Sequence, residues 1–445
     1  MNSRPVHTYE TIDQWIAGES IPFSVDSSHT SNAAIDKVIA SLSDSLELLG
    51  FGEALHGGQE ILELRNRLFT RLAEAHGFSA IAIESSFPRA HITNKFVTNE
   101  FMAGRGPTSY EDVKATGFGE GVGALEANRE LVEWMRVYNA DPAHPVKLRF
   151  YGFDLPTGTI GIASPRQTLY FVLDYLALSD SGSKERRKRI EELLGEDSDW
   201  ENPAAHMDPA KSIGGSQAAI ALRIETEDLI SELQARRPEW VEKTGRESFM
   251  EALQHGKVAR GLLNFHASMA RSAGYAERLN IRDRLQADNL AYVVARERGR
   301  GKVLAFAHNS HLKRGKAEWP LGAETVTWWT AGSQLNEMFG ERYAVIGTGI
   351  GVSDENGIRE PEAGTLEARL IATSGPIRFI PTHKGEGMPA SEIARLPVRT
   401  GSQKNPTYFP LTPQSFADFD CWRSLIQLST TATGRQCRNG RDSPK

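Results

Sequence analysis

Cysteine is almost missing from this chain: of 445 residues only Cys421 and Cys437 carry a thiol, both near the C-terminus. Two cysteines cannot staple a disulfide-rich secreted fold; they could pair with each other, but the expected state is two free thiols in a reducing cytoplasm, neither of them catalytic nor metal-binding. No segment approaches the roughly 20 apolar residues that span a bilayer. The residues up to Phe23 lack the basic start and apolar run of a secretory signal. A concentrated basic face is missing as well, since the formal net charge is -6. Nucleic acid and anionic membranes are thus poor partners, and a small or neutral ligand is the expected one. Two catalytic signatures are also absent, the His-Glu-x-x-His helix of zinc hydrolases and the Gly-x-Ser-x-Gly elbow of serine hydrolases.

The sequence does carry enough apolar residues, 40% against 24% charged, to fill a core of ordinary size. Short apolar runs alternate with long amphipathic stretches, the pattern of an α/β sheet. Five strands are expected, at 46–52, 79–84, 146–153, 303–307 and 343–347. The first two are joined by a helix in which Ile61, Leu64, Leu68 and Leu72 share one face and Gly77 gives the stop. Another helix, over 129–138, prepares the third strand. From 164 to 298 the pattern is almost entirely helical, with helices expected at 167–178, 184–194, 217–236, 248–269 and 281–298. The reading is an α/β fold with a mixed, largely parallel central sheet flanked by helices and a helical subdomain covering the active-site cleft. In residues, 1–163 and 299–429 form the core, 164–298 the insertion, and 430–445 a polar, mobile tail.

In an open parallel sheet ligands bind outside the carboxyl ends of the strands. Glu53 and His56 follow the first strand, Glu84 ends the second, and His308 and His311 follow the fourth. Any one of them would be unremarked as a core or capping residue; together they describe one converging site. Two chemistries fit three histidines and two glutamates: a zinc-type centre, or metal-free hydrolysis in which a histidine takes a proton from water and a carboxylate fixes its tautomer. The residues alone do not choose between them. Arg65, between Leu64 and Leu68, is either a salt-bridging arginine or a guanidinium that holds a glutamate or an oxyanion. Asp154 is a candidate substrate contact or a helix cap. His266 is a candidate for core or cleft lining and for substrate contact. Arg282 and Asp283 read as a helical charge pair. His7, His29, His76, His91, His144, His206, His255 and His383 show no partner pattern, and the run Gly347-Thr348-Gly349-Ile350-Gly351 lacks the spacing of a phosphate cradle.

Taken jointly, Gly52-Glu53-Ala54-Leu55-His56-Gly57, Glu60, Arg65, Ile83-Glu84 and His308-Asn309-Ser310-His311 resemble the erythromycin esterase family. Weaker similarity lies in 128–139, 151–155 and 282–289, so the likeness covers about 46–351. The resemblance implies an α/β core with a helical subdomain and a deep cleft. It also implies hydrolysis of a macrolide lactone without a required metal or organic cofactor. The residue matching the general base is His56, with Glu53, Arg65, Glu84, His308 and His311 lining the same site and Arg65, His308 or His311 supplying the cation for the oxyanion. The expected partners are a macrolide or lactone and water. Rival readings are a hydrolase of another cyclic or polyketide ester, a divalent-metal enzyme using the same residues, and a non-catalytic macrolide-binding protein.

Overall fold

The computed structural model describes residues 7–24, 27–100, 107–119, 121–156, 162–178, 183–321, 324–372 and 377–427. The expected tail at 430–445 and Cys437 lie outside the described residues, while Cys421 is a buried free thiol.

The described residues contain ten strands: β1 (Ile21–Pro22), β2 (Leu48–Glu53), β3 (Phe78–Ser86), β4 (Arg149–Asp154), β5 (Lys302–His308), β6 (Ala317–Leu321), β7 (Glu324–Trp328), β8 (Tyr343–Val352), β9 (Ile377–Pro381) and β10 (Cys421–Gln427). β6 and β7 form a separate antiparallel hairpin, and the other eight form one sheet in the order β1-β9-β10-β8-β2-β5-β3-β4. The six strands from β10 to β4 run parallel, and β9 is antiparallel to β10 and to β1. All five expected strands are there, as β2, β3, β4, β5 and β8; the sequence reading does not include β1, β6, β7, β9 or β10, and it is the antiparallel β9 that makes the sheet mixed.

Alternation along the central strands explains the layers. Leu49 and Phe51, Ile81 and Ile83, Leu304 and Phe306 face one apolar cluster, with Leu68, Leu131 and their helical neighbours. Their sequence neighbours Ala80, Ala82, Val303, Ala305 and Ala307 face the other, with Leu262, Leu285 and Val293. A strand buried on both faces needs apolar residues at both parities, which is why these strands read as continuous runs. The second face is rich in alanine, so the helix Tyr275–Glu297 can lie close against the sheet.

The expected helical stretch contains Arg166–Ala177, Ser183–Leu194, Gln217–Ala235, Arg246–Ala270 and Tyr275–Glu297, with shorter turns between them. It has an apolar cluster of its own, centred on Leu169, Leu173, Trp200, Leu222, Trp240 and Leu263. Among the described residues no helix is long and apolar enough to cross a membrane.

β2 and β5 are neighbours, yet the chain leaving β2 returns as β3 on one side and the chain leaving β5 reaches β8 on the other. The connecting helices Gln59–Ala75 and Ala331–Phe339 pack into the two different apolar clusters, so they lie on opposite faces. Connections diverging in this way open a crevice at the carboxyl ends of the two strands, where ligands of such sheets sit.

Candidate active site

Register places the first pair. Glu53, the last residue of β2, stands opposite His308, the last residue of β5. Beyond Glu53 the backbone is fixed from both sides: Ala54 N–H donates to the Thr348 hydroxyl of β8 (2.8 Å) and its carbonyl accepts from Phe409 N–H (3.0 Å). The chain then turns through Gly57, whose φ of 73° lies in the left-handed region that glycine tolerates. This short turn brings His56 back onto Glu53, with Nδ1 2.7 Å from Oε1. Gly52 is required by a close approach, since a Cβ there would collide with the Asn309 side-chain oxygen. Asn309 in turn bonds both backbone groups of Thr348, donating to its carbonyl (2.8 Å) and accepting from its N–H (3.3 Å).

After β5 the single turn Asn309–Leu312 begins on His308, whose Nδ1 accepts the N–H of Ser310 (3.2 Å) and lies 2.7 Å from its hydroxyl. Residues three apart share a helix face, so His311 falls on the same side as His308. Glu84 of β3 joins both: Oε2 accepts the backbone N–H of His308 (2.9 Å) and Oε1 lies 3.4 Å from His311 Nε2. The rings of His56 and His308 are 4.9 Å apart. Glu53, His56, Glu84, His308 and His311 therefore form one cluster at the carboxyl edge of the sheet. His56 is its open member, with 29% of its side chain exposed against 7% for Glu53.

Two residues that the sequence reading treated as a mutual charge pair belong to this cluster and do not pair with each other. Arg282 donates to Asp154 through Nε (2.9 Å) and Nη2 (2.6 Å), and through Nη2 to Glu84 (2.7 Å); its Nη1 lies 3.2 Å from His311 Nε2. Asp283 turns instead to His311 Nδ1, at 2.9 and 3.1 Å from its two oxygens. A signal for them existed: Arg282, Gln286 and Asn289 recur at spacings of four and three on a helix that otherwise buries Leu285, Leu290 and Val293. That polar stripe meets the sheet rim, with Gln286 donating to Asp154 (2.8 Å) and Asn289 to the Phe153 carbonyl (2.9 Å).

Other expected residues are placed differently. The Asp154 carboxylate is taken up by Arg282, Gln286 and the N–H of Leu155 (2.7 Å), so it anchors Arg282 and does not cap a helix. Arg65 is buried under Phe306, 4.9 Å from its ring centre, and donates to Asn66 (2.7 and 3.1 Å) and the Ala127 carbonyl (3.3 Å). Burial pulls its pKa down to about 10, with the nearby charge of Glu53 opposing that shift. It makes no hydrogen bond to Glu84, His308 or His311 among the described residues. His266 lies in the helix Arg246–Ala270, fully buried against Trp200, and donates from Nε2 to the Ala163 carbonyl (3.1 Å). Burial lowers its pKa to about 4. Its contacts are those of a core residue, away from the cluster. The glycine-rich run forms the buried middle of β8.

Electrostatics divide the cluster. Burial opposes a charge on Glu84, yet the neighbouring His311, His56 and Arg282 hold its carboxyl well below the usual carboxylate range. Burial and the neighbouring His56 push His308 well below the usual histidine value. Burial also acts against charge on His311, but the carboxylates of Asp283 and Glu84 outweigh it and raise its pKa. Among the described residues no group of three or more His, Cys, Asp or Glu is arranged to hold a metal ion. The geometry agrees, because the guanidinium of Arg282 occupies the space between Glu84, Asp154 and His311.

Comparison with known proteins identifies the family and the fold. The sequence profile of the erythromycin esterase family matches residues 73–421, which span Glu84, Arg282, Asp283 and the His308–His311 turn. An Escherichia coli protein described as erythromycin esterase type II is 23% identical over 320 residues, covering 68% of this chain and 69% of its own length. A crystal structure of a Bacillus cereus protein superposes with a TM-score of 0.72 at 16% identity, covering 95% of this chain and 98% of that one. A mutant of the erythromycin esterase EreC in its open conformation superposes with a TM-score of 0.65 at 17% identity, covering 89% and 94%. At such identities the structures show a shared fold, and the profile match over most of the chain shows more: the protein belongs to the erythromycin esterase family.

Proposed function

We propose that the protein is a carboxylic-ester hydrolase that opens the lactone ring of a macrolide or similar cyclic polyketide ester with water activated by His56. Family membership supports ester hydrolysis as the class of reaction. The observation that carries the mechanism is the 2.7 Å contact between His56 Nδ1 and Glu53. An ionised carboxylate only accepts, so the ring donates from Nδ1 and leaves Nε2 as a base. Among the described residues the buried Glu53 Oε2 has no hydrogen-bond partner, which suits it to accept from a water beside that ring.

In this reading water loses a proton to His56 Nε2 as its oxygen attacks the lactone carbonyl. A cationic group in the cluster holds the oxyanion. The carbonyl re-forms as the ring C–O bond breaks, and the alkoxide takes up the proton from His56. The products are an alcohol and a carboxylic acid on one opened chain, the acid losing its proton to solvent to become a carboxylate, with one water consumed. Such opening inactivates a macrolide antibiotic.

The helical stretch over 164–298 is assigned the reading of substrate shape, with 1–163 and 299–429 as the catalytic core. Large side chains left exposed beside the start of the helix Tyr275–Glu297, Met207 at 77% and Trp329 at 54%, suit an apolar macrocycle. A cytoplasmic location fits the buried free thiol of Cys421.

Mass spectrometry of a macrolide panel after incubation with the protein tests the proposal. A gain of one water in a product that accumulates beyond one equivalent is expected. Saturation at one equivalent would identify a binding protein, and hydrolysis only of other cyclic esters would move the substrate class. The rate is expected to survive exhaustive chelation; its loss, with recovery on adding zinc or manganese, would overturn the metal-free mechanism.

A further inference from the structure

His308 and His311 lie in the same turn and are almost equally buried, at 5% and 4% exposure, yet their ring nitrogens meet opposite partners. On His308, Nδ1 accepts the backbone N–H of Ser310 (3.2 Å). A nitrogen that accepts cannot itself carry a proton, so this ring is neutral with its proton on Nε2. No carboxylate bonds to it, because Glu84 takes its backbone N–H (2.9 Å) instead.

His311 faces a carboxylate at each nitrogen. Nδ1 lies 2.9 and 3.1 Å from the two oxygens of Asp283, and Nε2 lies 3.4 Å from Glu84 Oε1. Among the described residues the one opposing group is Arg282: its Nη1 can only donate and lies 3.2 Å from Nε2, so with Nε2 protonated these two N–H groups meet without a hydrogen bond and the ring's second proton turns to Glu84. Charge balance decides between them. Arg282 is already bonded to Asp154 and Glu84. Asp283 has no exposure to solvent, and among the described residues its only hydrogen bond besides those to His311 is from the N–H of Ala331 (2.8 Å). A buried carboxylate without a counter-ion is strongly disfavoured, so Asp283 requires positive charge on the ring it grips with both oxygens.

We propose that Asp283 is a positioning residue that holds His311 in its doubly protonated, cationic form, so that the two histidines of one turn are divided into a neutral ring and a charged one. Resting on the ester-hydrolase reading, this makes His311, and not the neutral His308, the histidine whose fixed positive charge stabilises the oxyanion. Asp283 touches no substrate and acts only through His311. The raised pKa of His311 and the lowered pKa of His308 agree with this division.

The test is a nitrogen-15 NMR titration of histidine-labelled protein, with the two rings assigned through His308→Gln and His311→Gln. In the wild-type protein His311 is expected to show both nitrogens protonated at pH 7, and His308 to be neutral with its proton on Nε2. Asp283→Asn should lower the titration of His311 by about one unit or more, the usual effect of a carboxylate neighbour, and Asp283→Glu should restore most of it. In kinetics, Asp283→Asn should shift the alkaline limb of the kcat profile to lower pH by a similar amount with little change in KM. A merely structural role would lower activity at all pH values and leave that limb in place. A neutral His311 at pH 7 in the wild-type protein, or a titration unmoved by Asp283→Asn, overturns the proposal. The wild-type spectrum decides even if the variant does not fold. The spectra need no substrate, so a charged His311 in a protein that turns over no ester would refute the hydrolase reading alone, and ester turnover with a neutral His311 would refute the role of Asp283 alone.

Discussion

His255 and His266, in the helix Arg246–Ala270, and His308 and His311, at the end of β5, are all buried, but by different means. The helical pair is packed by rings: His255 stacks on Phe171 with centroids 3.8 Å apart, and His266 meets Trp200 edge-on at 5.1 Å. Burial lowers their pKa values to about 3 and about 4, which keeps them neutral. At the sheet edge, Glu84, Asp154 and Asp283 are gathered around Arg282 and His311, and charge is retained because each charged group has a partner. A helical subdomain with its own apolar cluster can use histidine as a flat packing residue. The rim of the sheet, where six backbones end together, concentrates polar groups that must satisfy one another.

If that contrast is sound, substitutions in the two regions should fail in different assays. The largest effect is expected at the open end of the rim: His56→Ala should fold normally and lose on the order of 10²- to 10⁴-fold in turnover, the contribution of positioned proton transfer. Near-normal turnover in steady-state assays would pass the role of base to another group of the cluster.

The next pair of variants compares the regions directly. Arg282→Ala leaves two buried carboxylates without their cation and should destabilise by about 3–5 kcal/mol with loss of activity. Trp200→Ala, in the helical cluster, should destabilise by a similar amount, about 3–5 kcal/mol, through a cavity, while the folded fraction keeps its kcat. Urea unfolding with kinetics on the folded protein separates them; equal losses of kcat would erase the distinction between the regions.

Gly52→Ala should show a smaller effect, about 1–3 kcal/mol, because the new Cβ forces Asn309 and the turn carrying His308 and His311 to shift. Turnover should fall more than stability, since displaced catalytic geometry matters more than a tolerated strain. A variant with wild-type kcat would mean that the turn adjusts without moving the histidines.

The smallest expected effect is a slope with pH. His266 stays neutral in the folded protein down to about pH 4, whereas the unfolded chain protonates below about 6.5. Between those values the unfolded state binds the extra proton, so stability falls on acidification by roughly 1.4 kcal/mol per unit for each such histidine. His266→Gln should flatten that slope in urea midpoints measured from pH 4.5 to 7.5. His311 contributes with the opposite sign: its pKa is raised, so its stabilisation is complete below about 6.5 and lost as pH rises through the folded value. An unchanged slope in His266→Gln would show that the helical histidines do not govern acid sensitivity.

Much of this architecture could be read directly from the chain. β2, β3, β4, β5 and β8 announce themselves as apolar runs because both faces of a parallel strand are buried, and the helices by their spacing. β10 escaped because Arg423 interrupts the run; its guanidinium is fully buried between the rings of Phe23 and Phe379, at 4.7 and 5.1 Å, a way of burying charge that no apolar pattern signals. β9 escaped for similar reasons, being five residues long with Arg378 inside it and Pro381 at its end. Trp200 and His266 are no less legible as apolar packing than Glu53 and His56 are as polar residues after a strand, but their partners are not.

The sequence by itself determined which polar side chains follow the apolar runs, because the change to Glu53, Glu84, Asp154 and His308 is written locally, although β3 continues two residues past Glu84 to Ser86. Tertiary structure decided how those side chains are paired. Arg282 and Asp283 are neighbours in the chain, but successive residues of a helix point about 100° apart, so one turns to Asp154 and Glu84 and the other to His311. Arg282 and Glu84 meet across 198 residues of sequence, and no local propensity encodes a contact of that length. Only the closing of β3 and β4 onto β5, with the helix Tyr275–Glu297 laid over their ends, makes it a fixed distance.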